Sequence, residues 1–186
     1  MRWNLRRAGE DGARGNGSRI LAAGVVAGLG AAIAIGTMEW FSLVSHYPLA
    51  VVPFATSIAL VMGAPDAEPA QPRALVGGHI VATVVGLLVL KLTGPHAWAA
   101  AMAVGLAILA MVVTGTFHPP AGINPLLAVS NNLGWSFLLV SVLAGALLLT
   151  LFAYVWHRLA APPALAAALA LTSCRLNPSP SGASAT

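Results

Sequence analysis

Phe117-His118-Pro119-Pro120-Ala121-Gly122-Ile123-Asn124-Pro125-Leu126-Leu127 carries no charge and three prolines. It lies between two long apolar runs, residues 97–116 and 135–156. Proline donates no backbone hydrogen bond and cannot extend a helix from Thr116, but it is favoured in the first turn of a new one. The stretch therefore reads as a break between two helices. Non-helical backbone at membrane depth is tolerated only where it is buried in protein or lines a wet cavity. A short helix starting near Pro120 would leave the N–H groups of Ala121, Gly122 and Ile123 free. Those groups and the positive end of the helix dipole would attract an anion, with His118 and Asn124 adding polar contacts. The alternative is a surface loop between two spans, where prolines are ordinary.

The composition explains why membrane depth is at issue. The chain has 186 residues, 58% hydrophobic and 8% charged, with a mean hydropathy of +0.85. Soluble domains carry about 25% charged residues, so a chain this poor in charge needs lipid around it. Its length suits one helical unit. The net charge of +4 is no sign of nucleic-acid binding, because Arg2, Arg6, Arg7, Arg14 and Arg19 all precede the first apolar run. One cysteine, Cys174, excludes an internal disulfide and any cysteine-based metal cluster.

Residues 1–19 read as a disordered, basic, cytoplasmic tail. Residues 20–38 form an uncharged run long enough to span, and Glu39-Trp40 stands where a signal peptide would need small residues. Residues 49–62 are short, and Pro48 and Pro53 interrupt their start. Residues 63–73 form a loop with Asp66, Glu68 and Arg73, residues 74–90 are a clear span, and Thr93-Gly94-Pro95 turn the chain back. Residues 159–186 read as an Ala/Pro/Ser-rich cytoplasmic tail with one short helix near 164–173. The expected fold is all-α: about four full transmembrane helices plus two short, Pro-broken or re-entrant half-helices.

Basic residues favour the cytoplasmic side and place both termini there. With four spans only Arg73 lies outside; with six, Arg73 and Lys91 exchange sides and the count is unchanged. Length favours four. The expected location is a bacterial plasma membrane.

Pro53-Phe54-Ala55-Thr56 resembles Pro119-Pro120-Ala121-Gly122. Both halves run long span, Pro-broken short helix, long span, the pattern of a two-fold internal repeat whose breaks form a transporter's site. Thr56 and Ser57 would offer hydroxyls at the first break, or bond to their own helix. His79, with Thr83 and Gly86 at i+4 and i+7, makes a thin polar stripe. It serves a pathway or a bond between helices. Glu39 beside Trp40 reads as an interface marker. Arg73 would draw anions to a mouth, or pair with Asp66 or Glu68. Gly24, Ala27, Gly28 and Ala31 read as a close-packing stripe. There is no Gly-x-Ser-x-Gly, His-Glu-x-x-His, P-loop or Rossmann pattern, and no histidine pair at i, i+4. Neither an enzyme nor a cofactor is expected.

Met62-Gly63-Ala64-Pro65-Asp66-Ala67-Glu68-Pro69-Ala70-Gln71-Pro72-Arg73, then Gly77-Gly78-His79, then Thr116-Phe117-His118-Pro119-Pro120-Ala121-Gly122 resemble the HPP family of integral membrane proteins. The resemblance covers residues 20–158 and implies a four-span membrane domain. Plastid and cyanobacterial members are linked to nitrite transport, and many others have no assigned substrate. Here Ile123-Asn124-Pro125 follows the motif, where relatives often continue with small residues, and the regulatory domains that some relatives carry are not expected. The resemblance points to a transporter or channel for a small anion such as nitrite, and the reading of the residues themselves puts Thr56, Ser57, Arg73, His79, His118, Pro119, Pro120, Ala121, Gly122 and Asn124 at its site. A homo-oligomer would help so short a chain enclose a path. A non-transporting scaffold or accessory subunit is the rival.

Overall fold

The computed structural model describes residues 10–45 and 51–160. Residues 1–9, His46, Pro48 and 161–186 lie outside that range, and with them Cys174, most of the expected C-tail and its helix at 164–173. Among the described residues all regular structure is helical: α1 Glu10–Ser45, α2 Val51–Gly63, α3 Pro72–Thr93, α4 Ala97–Val113, α5 Ile123–Ser130 and α6 Ala144–Ala160. Short 3-10 turns at Glu68–Ala70 and Pro119–Gly122 precede α3 and α5, and a π-helical stretch, Phe137–Leu143, runs into α6.

This is an integral membrane protein. Ala23–Val44, Pro72–Thr93 and Phe137–Leu159 are long and apolar enough to cross a bilayer. α4 has 17 residues, about 26 Å at about 1.5 Å per residue, the lower limit for a span. Its Leu109, Val112 and Val113 are exposed, which suits lipid. The order long, short, long occurs in both halves, as expected.

Several expectations are corrected. Residues 10–19 are helical, part of the continuous α1. Pro53–Ser57 is no break, because Pro53 sits in the first turn of a continuous α2, where a missing N–H costs nothing. Two residues of the α1 stripe do not pack closely: Gly24 and Gly28 are exposed, with open space where a Cβ would stand, while Ala27 and Ala31 are half-buried. The described residues divide after Ala153 into two units, the second beginning at Tyr154 within α6. In the second unit, Arg158 Cζ stacks 4.8 Å above the Tyr154 ring.

Within the first unit α3 is the central helix, packed on α4, α5 and the break. Its start and stop are local. Pro72 opens it, and Gly94, at φ 82°, closes it with a backbone bond to Leu90 O. α4 returns antiparallel, placing Ala107 and Met111 with Ala82, and Ala99, Ala100 and Ala103 with Val89. These small α4 residues, at helical spacing and fully or nearly fully buried, are the close-packing stripe. Gly115, at φ 63°, then reverses the chain into the break.

The break and α5 run along α3 rather than folding back. Thr116 lies against Gly77, His118 against Gly78, Pro125 against Gly86 and Val129 against Val89. Glycine is needed at Gly78 and Gly86, where a Cβ would meet main-chain atoms, and Gly77 lies against the Thr116 side chain. A Cβ would stand 2.7 Å from Thr116 Cγ2 at Gly77, 2.6 Å from His118 Cβ at Gly78 and 2.5 Å from Pro125 Cα at Gly86. The Gly77-Gly78-His79 triplet is thus a seat for an extended strand of backbone, followed by the side chain that reaches into the centre.

Candidate functional site

Five polar side chains from four parts of the chain meet in the centre: Ser57 on α2, His79 and Thr83 on α3, His118 before the Pro119–Gly122 turn and Asn124 on α5. Each is 0% exposed. A buried polar group needs a partner, and these partner one another. Ser57 Oγ is 2.9 Å from His79 Nε2 and 2.9 Å from His118 Nε2. The bond expected to its own helix, to Pro53 O, is its longest at 3.4 Å. His118 Nδ1 is 2.6 Å from Pro69 O. Asn124 Nδ2 is 2.9 Å from His79 Nδ1 and 2.8 Å from Thr83 Oγ1. Thr83 Oγ1 donates to His79 O at 2.6 Å.

With both imidazoles uncharged, the inventory of donors and acceptors allows one arrangement of the protons. Pro69 O only accepts, so His118 carries its proton on Nδ1 and accepts at Nε2. Ser57 has one hydroxyl proton, and it goes to His118 Nε2. Ser57 Oγ must then accept from His79, whose proton is on Nε2. His79 Nδ1 in turn accepts from Asn124. All the bonds along Asn124, His79, Ser57, His118 and Pro69 O point one way, and the network closes with both imidazoles neutral. One atom is left over: Asn124 Oδ1 is buried without a partner.

Apolar packing encloses the network. The Phe54 ring lies 4.6 Å from that of His79, centroid to centroid, and is so tight against Gly145 that a Cβ there would come within 2.5 Å of Phe54 Cε2. The two imidazole centroids are 5.1 Å apart. Among the described residues no three His, Cys, Asp or Glu side chains group as a metal site. A small cavity lined by Ala34, Thr37, Met38, Leu148, Leu149 and Phe152 lies between α1 and α6.

Of the residues expected at a site, Ser57, His79, His118 and Asn124 come together. Pro119, Pro120, Ala121 and Gly122 form the turn that sets the spacing of His118 and Asn124. The free N–H groups expected there are largely used: Ala121 N–H bonds to His118 O at 2.9 Å, and Ile123 N–H to Pro120 O. Thr56 is exposed and turned away from its neighbour Ser57. Arg73 is exposed and pairs with neither Asp66 nor Glu68; its Nη2 donates to Thr114 O at 3.4 Å. It stands against Gly115 at the turn, outside the buried network. Glu39 is exposed. Sequence reasoning missed Pro69, whose contribution is a carbonyl that every residue has, and Phe54, an apolar residue on an apolar helix. Thr83 was visible as part of the His79 stripe.

Comparison with known proteins agrees with the architecture. The family model of the HPP transmembrane region matches residues 17–165. Two transmembrane proteins of Dictyostelium discoideum are 36% and 38% identical over 115 residues, 58% of this chain. The match covers 40% of the first and 37% of the second, so the chain spans well under half of these relatives. No solved structure matches.

Proposed function

The chain belongs to the HPP transmembrane family, and on that premise we propose that it moves a small anion across the membrane, nitrite being the first to test. The observation that carries the reading is the convergence of Ser57, His79, Thr83, His118 and Asn124, all fully buried, at the centre of an apolar chain. Polar groups at membrane depth are costly and mark pathways and relays. Here they come from four separate segments, so a small rigid-body movement of α2 or α5 would open the cluster. Asn124 and the two imidazoles would then offer N–H groups to an anion, and Arg73 would raise its concentration at the mouth. No chemical step on the permeant is part of the proposal. A bacterial plasma membrane with the N-terminal side in the cytoplasm fits the five arginines ahead of the first apolar run, and a homo-oligomer is part of the proposal.

A specific observation favours a second reading. His118, Ala121 and Asn124 are packed protein, as they would be in a non-transporting scaffold. Nitrite uptake into proteoliposomes by the native chain and by His118→Ala, at equal insertion, separates the two. Saturable uptake lost in the variant supports transport; no uptake by either form supports the scaffold.

A further inference from the structure

We propose that Asn124, His79, Ser57 and His118 form a relay for a single proton, and that this proton travels with the anion; the second clause rests on the transport reading above, the first does not. The chain of bonds is continuous and points one way, from Asn124 Nδ2 through both imidazoles to Pro69 O. Such a chain can be reversed by one added proton.

The steps balance. A proton from water or from a weakly acidic permeant bonds to His79 Nδ1. The His79 Nε2–H bond breaks as its proton passes to Ser57 Oγ. The original Ser57 proton passes to His118 Nε2. His79 is again neutral, now protonated on Nδ1, and His118 carries the positive charge with N–H on both nitrogens. Ser57 now donates to His79 Nε2 and accepts from His118. The His118 Nδ1 proton faces the carbonyl of Pro69, which is half-buried and stands beside the first turn of α3; given up to water on that side, it leaves His118 neutral with its proton on Nε2, and both rings regain their starting tautomers by exchange with water in the opened cluster. Measured along α3, Pro72 to Thr83 is on the order of 16 Å, about half the hydrocarbon thickness.

Asn124 explains how the proton and the anion are linked. In the neutral network it turns both Nδ2 protons toward Thr83 and His79, and its Oδ1 is the buried atom left unpaired. A carbonyl oxygen repels an anion. Once His79 holds its proton on Nδ1, that position needs an acceptor, and half a turn of the amide supplies Oδ1. The Nδ2–H groups then point where Oδ1 was. The protonated network therefore offers an anion two donors and a positive charge, and the neutral network offers it neither. The other groups facing the two rings do not titrate: α2 presents Ser57 and Phe54, and the turn before α3 presents the Pro69 carbonyl. Each ring faces the other, and Asp66, Glu68 and Arg73 nearby are exposed.

The test is 15N-histidine NMR of the full chain in liposomes, with His46, His96 and His157 replaced by Gln to leave two labelled rings. At neutral pH the proton should be on Nε2 of His79 and Nδ1 of His118. On acidification one proton per chain should be taken up, with His118 becoming imidazolium as His79 moves its proton to Nδ1. If His79 keeps its Nε2 proton throughout, or the rings titrate as two independent sites, the relay is overturned. A parallel measurement of nitrite and proton uptake tests the coupling. One proton per nitrite supports it, and Ser57→Ala should reduce proton uptake on the order of 100-fold. Nitrite uptake without protons overturns the coupling and leaves transport standing. No nitrite uptake overturns transport and the coupling together, while the relay is decided by the tautomers of the native chain.

Discussion

Gly86 lies so close to Pro125 that a Cβ on the glycine would stand 2.5 Å from the proline Cα and 2.9 Å from its Cβ. The contact is between two main chains, so a flexible side chain cannot yield to relieve it. Gly86→Ala should cost about 1–3 kcal/mol, the range for overpacking a filled interior. Gly28→Ala, with nothing near its Cβ, should change stability by at most about 0.5–1 kcal/mol, and in the favourable direction, since Ala is the better helix former. Unfolding of both variants in detergent checks the contrast.

Phe54 has no exposed surface and separates His79 from Gly145. Phe54→Ala leaves a cavity over the imidazole and should cost about 3–5 kcal/mol. It should also admit water to the Ser57–His79 bond. Thermal unfolding measures the first effect, and faster histidine N–H exchange with deuterium the second.

Arg73 makes one long bond to a carbonyl at an exposed turn. Arg73→Gln should therefore shift stability by no more than about 0.5 kcal/mol. If Arg73 collects anions, the variant should need a higher nitrite concentration for half-maximal uptake. That difference should shrink as ionic strength rises, because salt screens an exposed charge within about 10 Å at 0.1 M. Uptake curves at low and high salt show whether it does.

The helices were legible because lipid makes each apolar run nearly self-declaring, and the prolines mark their ends. Ser57, His79, His118 and Asn124 were legible as polar residues without an apolar reason to be where they are. Their connection was not. Ser57 and His118 are 61 residues apart, and no local pattern says that one hydroxyl bridges two rings. Thr56 and Ser57 looked equivalent in sequence, yet adjacent residues on a helix are turned by about 100°, so one faces the core and the other faces outward. The N–H groups expected to be free at the break are largely used because the Pro-Pro pair starts a 3-10 turn, whose tighter bonds take them up. Gly77, Gly78 and Gly86 read as ordinary helix residues until the backbone crossing them was in view.

Nitrite uptake by proteoliposomes holding Ser57→Ala, beside Thr56→Ala, tests most directly whether the buried network handles the permeant. The two variants remove one hydroxyl each from neighbouring positions on the same helix. Ser57→Ala should slow saturable uptake at least about tenfold, the equivalent of one buried hydrogen bond, while Thr56→Ala keeps the native rate. Equal uptake by both variants and the native chain, at verified insertion, would contradict the account.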